Sequence, residues 1–236
     1  MSIIIDIDYD FRNDSGGKDP DSYSQTLKAY HQLLWSKDLP TQGSLQLNEN
    51  PDFLSPQKSF FFASDSIIPT YSYWRSYQHI INQNAQDKLW YFDYKSYTIG
   101  GMLIFPRNKI DNQMTINMAR GINKSIRDRF DLTLECIRLY YNDSRSPLFD
   151  VLNRYSDFFR LFKSFDGYVA FFHLQDLLTD KQQINFFLPF DGFDSDALPK
   201  DKEAYNLFME NSLHFIDARA SRIKRWCVQM GYETRP

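Results

Sequence analysis

Cysteine and histidine are scarce in this sequence. The 236 residues include two cysteines, Cys136 and Cys227, and four histidines. Two cysteines cannot form the disulfide framework of a small secreted protein, and their spacing from the histidines matches no structural zinc site. Each cysteine lies within an apolar helical pattern, which is typical of a buried and unreactive thiol. We therefore expect a protein of a reducing compartment that holds no metal and no cofactor.

Long apolar runs and an excess of positive charge are also absent. No segment has the length of apolar sequence that a membrane-spanning helix needs. The first residues, MSIIIDID, acquire acidic side chains too early for a secretion signal. The formal net charge of −3 argues against a protein that coats nucleic acid, because such domains are strongly basic. We expect a cytoplasmic protein with no membrane partner; the sequence gives no indication of its oligomeric state.

Signatures of familiar nucleotide-binding and hydrolytic enzymes are missing. The stretch SGGKD is not a P-loop, because no glycine lies five residues before Gly17 and because Lys18 is followed by Asp19. The motifs G-x-G-x-x-G and G-x-S-x-G do not occur in a suitable context. Two interpretations of the turn at Gly16 stay open: a plain surface turn, or a turn whose N–H groups and lysine meet an anion.

Aromatic residues, by contrast, are abundant: they make up 17% of the chain, with 21 phenylalanines and 15 tyrosines. Most of them recur at helical spacing, so we expect them to build the core rather than a base-stacking surface. The pattern predicts one α+β domain over residues 1–236, with a flexible connector at about 38–58. A small mixed sheet from the N-terminal half is expected to pack against a predominantly helical C-terminal half.

Periodicity and capping signals predict the individual elements. Strands are expected in SIIIDIDYDF, in the run around FFFASDSII and in SYTIGGMLIFP, where Gly100–Gly101 indicates a bulge or a close backbone approach. Helices are expected over residues 23–37 with Ser22 or Ser24 as cap, over 73–87, over 116–143, after Ser146–Pro147, over 168–178 and over 202–229.

The predicted helix 116–143 carries an unusual crowd of charge in its first half. Its apolar residues form one continuous stripe, and Lys124–Asp128 and Arg127–Asp131 are spaced as four-apart ion pairs on a solvated face. A second interpretation directs the charges into a pocket. Arg120 and Gly121 lie near the expected helix start, where free N–H groups and a cation favour an anion.

Several long stretches resemble a family of bacterial proteins of unknown function. They include DFRNDSGGKDPDSYSQTLKAYHQLLWSK, SDSIIPTYS, YTIGGMLIFPRNKIDNQMTINMARGINKSIRDRFDLTLECI and SPLFDVLNRYSDFFRLF, and together they cover nearly the whole chain. The resemblance implies no reaction, since no activity is established for that family. It does indicate polar positions, among them Arg12, Lys18, Asp19, Asp21, His31, Asp65, Pro69, Asn117, Arg120, Asp128, Arg129 and Asp131.

The leading hypothesis is a cationic pocket for a nucleotide or a short RNA. Arg12, Lys18, Lys37 and Arg120 would converge on its phosphate, and Asn117 and Arg127 would assist them. If the protein is an enzyme, His31 is the candidate base and Asp65 or Asp128 its orienting group. Phosphoryl, nucleotidyl or ADP-ribosyl transfer and RNA cleavage are the expected reaction classes, in phage defence or as a toxin.

Ser64 and Ser66 flank Asp65 at a predicted strand end. The sequence leaves open whether this triplet orients a base, binds a ribose hydroxyl or is merely structural.

The alternative hypothesis is a non-catalytic module that binds a protein partner through aromatic residues and its basic last helix. The Arg/Asp cluster would then be a structural ion-pair network that fixes the long helix against the sheet. One feature separates the two hypotheses. In the pocket, Arg120 and Lys18 lack carboxylate partners, whereas in the network each is paired within hydrogen-bond distance.

Overall fold

The computed structural model describes residues 4–41, 43–44, 61–68 and 74–234, and it confirms the α+β class. The strands are β1 (Ile4–Ile5), β2 (Asp38–Leu39), β3 (Gly43–Ser44), β4 (Phe62–Ser66), β5 (Met102–Pro106) and β6 (Glu233–Thr234). The helices are α1 (Pro20–Tyr23), α2 (Gln25–Trp35), α3 (Trp74–Ile81), α4 (Gln86–Ser96), α5 (Ile116–Ile122), α6 (Phe130–Tyr141), α7 (Phe149–Arg154), α8 (Ser156–Arg160), α9 (Phe165–Phe171) and α10 (Lys202–Gln229).

The described strands form three separate pairs. β1 pairs with β6 in parallel, whereas β2–β3 and β4–β5 are antiparallel. The β4–β5 ribbon is the longest, and it aligns Ser64 with Ile104 and Asp65 with Leu103. The predicted connector at 38–58 begins with the β2–β3 pair, and its residues 45–58 lie outside the described residues, as does Pro69.

The N-terminal helices begin where side-chain caps are available. Asp19 accepts the Asp21 N–H at the start of α1, and Ser24 accepts the Leu27 N–H at the start of α2. Ser24 was one of the two predicted caps. α2 turns its apolar side inward, and Trp35 stacks on Phe62 of β4 with 4.5 Å between the ring centroids. This helix therefore lies directly behind the β4–β5 ribbon.

α4 was not predicted, and β5 begins later than expected. Ile99–Gly101 forms a 3-10 turn between them. A Cβ on Gly101 would lie 2.1 Å from the Lys95 carbonyl oxygen, and one on Gly100 would lie 2.8 Å from both Ala220 Cβ and the Ile216 carbonyl oxygen. The close backbone approach predicted for the two glycines is therefore present, but in a turn packed against α10 rather than within a strand.

The single helix predicted over 116–143 is wrong. It is two helices, α5 and α6, joined by residues 123–129. Arg127 and Asp128 adopt left-handed backbone angles, with φ of 45° and 62°, and the Asp128 N–H donates to the Arg120 carbonyl at 3.0 Å. The expected pairs Lys124–Asp128 and Arg127–Asp131 do not form, because the break turns Asp128 inward.

The C-terminal half contains the aromatic core that the composition predicts. Phe158, Phe159, Phe162, Tyr168 and Phe172 are all buried and contact one another. α10 spans the predicted residues 202–229. Among the described residues, none of the helices combines the length and apolar character that crossing a membrane requires.

Arg219 of α10 is buried and ties separate parts of the chain together. Its guanidinium donates to the carbonyl oxygens of Phe172, Ile99, Gly100 and Met102 at 2.7–3.1 Å. These acceptors lie at the end of α9, in the turn before β5 and at the first residue of β5. The alternative hypothesis treats the last helix as a basic binding surface, yet this arginine of the helix is buried and donates to four internal carbonyls.

Candidate functional site

A cleft with a volume of about 190 Å³ lies between α1, β4 and the turn that joins α4 to β5. We call it the carboxylate cleft. It is lined by Phe11, Asp19, Pro20, Asp21, Leu27, Ser64, Asp65, Ser66, Ser96, Tyr97 and Met102. Three aspartates, three serines and two aromatic residues thus contribute to the lining of one small space.

Asp21 is a buried acid of the carboxylate cleft with a raised pKa. Its two carboxyl oxygens accept the Ser64 N–H at 2.9 and 3.1 Å, and the residue is only 8% exposed. Burial raises the pKa of Asp21 to about 6, although the hydrogen bonds from Ser64 act in the opposite direction. A carboxyl group with this pKa exchanges protons near neutral pH, as an acid–base catalyst must.

Ser64 also contacts a buried histidine. Its Oγ lies 3.2 Å from His31 Nε2, and His31 is 1% exposed on the inner side of α2. Burial lowers the pKa of His31 to about 3, so the imidazole is neutral under physiological conditions. The predicted base therefore lies one side chain behind the carboxylate cleft and reaches it only through Ser64.

Asp65 joins the carboxylate cleft to a buried ion-pair network. Its carboxylate accepts a hydrogen bond from Arg120 Nη1 at 2.5 Å, and the same nitrogen lies 3.1 Å from Asp128 Oδ1. Arg120 further donates to Thr133 Oγ1 and to the Asp128 carbonyl oxygen. Arg120 and Asp128 are fully buried, whereas the Asp65 side chain keeps 19% of its exposure.

The network holds two carboxyl groups and a single cation. Burial, together with the nearby charge of Asp65, raises the pKa of Asp128 to about 10. Burial also raises the pKa of Asp65, against the opposing charge of Arg120. Asp128 is therefore the acid of the two that holds a proton at neutral pH, and Arg120 pairs with Asp65. For Arg120 this is the pairing that the structural alternative predicts, and its guanidinium is closed to any ligand.

A model described as a family of unknown function, DUF6994, matches residues 5–223. The chain belongs to this family. No curated protein and no solved structure gives a significant match. The function of the family is unknown, so the function of this DUF6994 member has to be inferred from its own geometry.

The other predicted cations do not surround one pocket. Arg12 pairs with Asp10 and Asp93 and lies 3.7 Å above the ring of Tyr97, at the side of the carboxylate cleft. Lys18 is exposed, with its ammonium 4.5 Å from the Tyr23 ring centroid. Neither side chain lines the carboxylate cleft. The expected convergence of these two residues with Lys37 and Arg120 is therefore not seen.

Lys37 lies at the end of α9 instead. Its Nζ is 2.6 Å from the Phe171 carbonyl oxygen and 3.2 Å from His173 Nε2. Burial, followed by the charge of Arg219, lowers the pKa of Lys37 to about 7. The carbonyl contact gives Lys37 the role of a helix cap, because free carbonyl groups at a helix C-terminus favour a cation.

Two further predicted ligand-binding residues lie away from the carboxylate cleft. Arg127 pairs with Asp196 at 2.8 Å. Asn117 is partly buried in α5, and its Oδ1 accepts no hydrogen bond within the described part of the chain. Of the predicted site, Asp65 alone lines the carboxylate cleft, His31 adjoins it through Ser64, and Arg120 and Asp128 adjoin it through Asp65.

A larger cavity, of about 350 Å³, lies beneath residues 188–201. Three of its charged side chains have partners: Arg129 bonds to Asp131 and to the Ala197 carbonyl, Asp196 pairs with Arg127, and Asp201 caps α10. Asp191 and Lys200 also line it. We take the carboxylate cleft as the candidate site because Asp21, an acid whose pKa is raised to about 6, lines it together with Ser64, which contacts a histidine.

Replacing Asp21 with asparagine should change how stability depends on pH. The folded pKa of about 6 lies above the ordinary value of 3.8, so the folded state binds this proton more tightly. The contribution of this bound proton to stability is complete below pH 3.8 and is lost as the pH rises through 6. By pH 7 the free energy of unfolding of the wild type should have fallen by up to about 3 kcal/mol from this cause, and Asp21→Asn should not show that decrease.

Urea unfolding at several pH values between 4 and 7 measures this difference. His31 acts in the opposite direction, because its pKa is lowered from 6.5 to about 3 and its contribution disappears as the pH falls. The comparison is therefore between the two proteins at each pH. Parallel curves for wild type and Asp21→Asn would show that Asp21 has an ordinary pKa.

Proposed function

We propose that the protein binds a small uncharged or cationic molecule with several hydroxyl or amine groups in the carboxylate cleft, where Asp21 exchanges a proton with it. The observation that carries the proposal is the composition of the lining: three aspartates and three serines contribute to a single cavity. Carboxylates and hydroxyls accept hydrogen bonds from hydroxyl and amine groups of a ligand. The rings of Phe11 and Tyr97 offer apolar faces for its carbon skeleton.

The charge of the carboxylate cleft sets the ligand class. Among the described residues that line it, none is a lysine or an arginine. Asp65 is balanced by Arg120, whereas Asp19 and Asp21 have no ion-pair partner among the described residues. An anionic ligand would be repelled at close range, where two unit charges interact by several kcal/mol at an effective dielectric of about 20. A neutral or cationic ligand is favoured.

The size of the carboxylate cleft limits the ligand further. Its volume of about 190 Å³ is below the ~300–1,000 Å³ of pockets that hold drug-sized molecules. A single sugar, an amino sugar or a small polyamine alcohol has suitable dimensions. Nucleotides and short RNA, which the sequence analysis favoured, form the competing class.

Thermal unfolding with a ligand panel tests the proposal. The panel contains monosaccharides, amino sugars, hydroxylated amines, nucleotides and short RNAs. A ligand present at about 100 times its Kd should add roughly 2.7 kcal/mol of stability. We expect such a shift from a member of the neutral or cationic groups, and we expect Asp21→Asn and Ser64→Ala to remove it.

Asp180→Asn is the matched control, because Asp180 is an exposed aspartate in a turn away from the carboxylate cleft. It should bind as the wild type does. Stabilisation by nucleotides or RNA alone would replace this proposal with the phosphate-binding one. A shift that survives both cleft variants would place the ligand elsewhere on the protein.

A further inference from the structure

The three serines of the carboxylate cleft differ in what their hydroxyl groups contact. Ser66 Oγ accepts the Ile68 N–H at 3.0 Å and lies 3.4 Å from the Ser96 carbonyl oxygen. Ser96 Oγ donates to the Asp93 carbonyl at 2.6 Å. Ser64 Oγ lies against an imidazole nitrogen. Ser64 is therefore the serine in this cleft whose proton has a nitrogen base within reach.

His31 is placed to accept that proton. It is neutral because it is buried. In the tautomer that carries its proton on Nδ1, the Nε2 lone pair points at the Ser64 hydroxyl at 3.2 Å. A nucleophilic hydroxyl and its base within hydrogen-bond reach form the core of nucleophilic catalysis. A buried imidazole is a weak base, so we expect a slow nucleophile that needs a good leaving group.

The backbone holds Ser64 in this position from two sides. Asp21 fixes its N–H with both carboxyl oxygens, and the β4–β5 ladder aligns it with Ile104. His31 in turn lies on α2, whose neighbouring Tyr30 ring meets the imidazole edge-on at 6.4 Å. The hydroxyl and the imidazole are thus held by different rigid elements, as an efficient site requires.

We propose that Ser64 is a covalent nucleophile that accepts the acyl group of a small ester bound in the carboxylate cleft. Ser64 Oγ bonds to the ester carbonyl carbon while its proton passes to His31 Nε2. The bond from that carbon to the alcohol oxygen breaks, and the alcohol leaves with the proton of the Asp21 carboxyl group, which lines the cleft. Water then hydrolyses the acyl-serine: its hydroxyl group completes the acid, its remaining proton returns to Asp21, and the proton on His31 returns to Ser64 Oγ.

This inference rests on the proposed function only in its choice of ligand site. Asp21 lines the same cleft, so it is the group placed to supply a proton to the departing alcohol. The ester would be one of the small hydroxylated molecules proposed above, because the same groups would bind its alcohol part.

Labelling with a fluorophosphonate probe, which phosphonylates nucleophilic serines and expels fluoride, tests the inference directly. Peptide mass spectrometry should place the label on Ser64 and not on Ser66 or Ser96, which share the cleft. Ser64→Ala should remove it, and His31→Gln should slow labelling at least tenfold. Ser144→Ala, which changes a serine outside the cleft, should label as the wild type does. No label, or a label on another serine, overturns the inference.

A second measurement, the release of nitrophenolate from an ester, requires no substitution of the buried His31. With p-nitrophenyl acetate the wild type should release a burst of about one nitrophenolate per chain, as an acyl-enzyme accumulates. Ser64→Ala should show no burst, and an equal burst from that variant would overturn the inference. If a ligand of the panel binds in the cleft but Ser64 is not labelled, this inference is wrong and the proposed function stands. If Ser64 is labelled but no ligand of the panel binds, the proposed function is wrong and this inference stands.

Discussion

Replacing Arg120 with methionine is expected to lower the free energy of unfolding by about 3–5 kcal/mol. The change leaves Asp65 and Asp128 without their shared cation, in a place where Arg120 and Asp128 are fully buried. It also removes the donor to Thr133 and to the Asp128 carbonyl. Because buried polar groups without partners are costly, most of the loss comes from the groups left behind. Urea unfolding measures it.

Arg145→Met is the matched control. Arg145 and Asp150 form a pair at 2.9 Å whose side chains are 78% and 84% exposed, and such pairs contribute about 0–1 kcal/mol. Adding Asp65→Asn to Arg120→Met should recover part of the loss, because the amide carries no charge. If Arg120→Met were as mild as Arg145→Met, the network would not be what joins α5, α6 and β4.

Replacing Gly101 with alanine should destabilise the protein by about 3 kcal/mol or more. The new Cβ would lie 2.1 Å from the Lys95 carbonyl oxygen, and a backbone atom cannot rotate away as a side chain can. The C-terminal end of α4 would have to move. Since Ser96, Tyr97 and Met102 line the carboxylate cleft, ligand binding should weaken together with stability.

Gly100→Ala provides the comparison for this substitution. Its new Cβ would meet the Ala220 Cβ and the Ile216 carbonyl oxygen, both at 2.8 Å. Adding Ala220→Gly should therefore recover part of the loss at position 100, whereas it should not rescue Gly101→Ala. If Ala220→Gly recovered as much stability in Gly101→Ala as in Gly100→Ala, the close contact with Ala220 would not be specific to position 100. The measurement is thermal unfolding of the wild type, Gly100→Ala, Gly101→Ala and the two double variants that also carry Ala220→Gly.

Local signals in the sequence predicted the local structure. The helical period of the apolar residues predicted the bounds of α10, and the capping residue Ser24 predicted the start of α2. Spacing failed where the chain breaks without a glycine or proline. The apolar stripe is continuous across residues 123–129, so nothing local marks the left-handed angles of Arg127 and Asp128.

The sequence pointed to some residues in and beside the carboxylate cleft, but not to their assembly. His31 and Asp65 were singled out because of their chemistry, and Asp19 and Asp21 through the family pattern. Ser96 and Tyr97 carried no such signal. The partner of Asp65 lies 55 positions away in Arg120. Pairings at that separation are set by packing, and the periodicity of one segment does not encode them.

Arg219 has a consequence for the order of events during synthesis. The carbonyls of Ile99, Gly100 and Met102 belong to the first half of the chain, yet their common donor emerges from the ribosome more than a hundred residues later. The wall of the cleft beside Met102 is thus completed only when α10 arrives. Nascent chains stalled before residue 219 should be readily cut by protease around residues 96–102, and protection should appear once that arginine has cleared the exit tunnel.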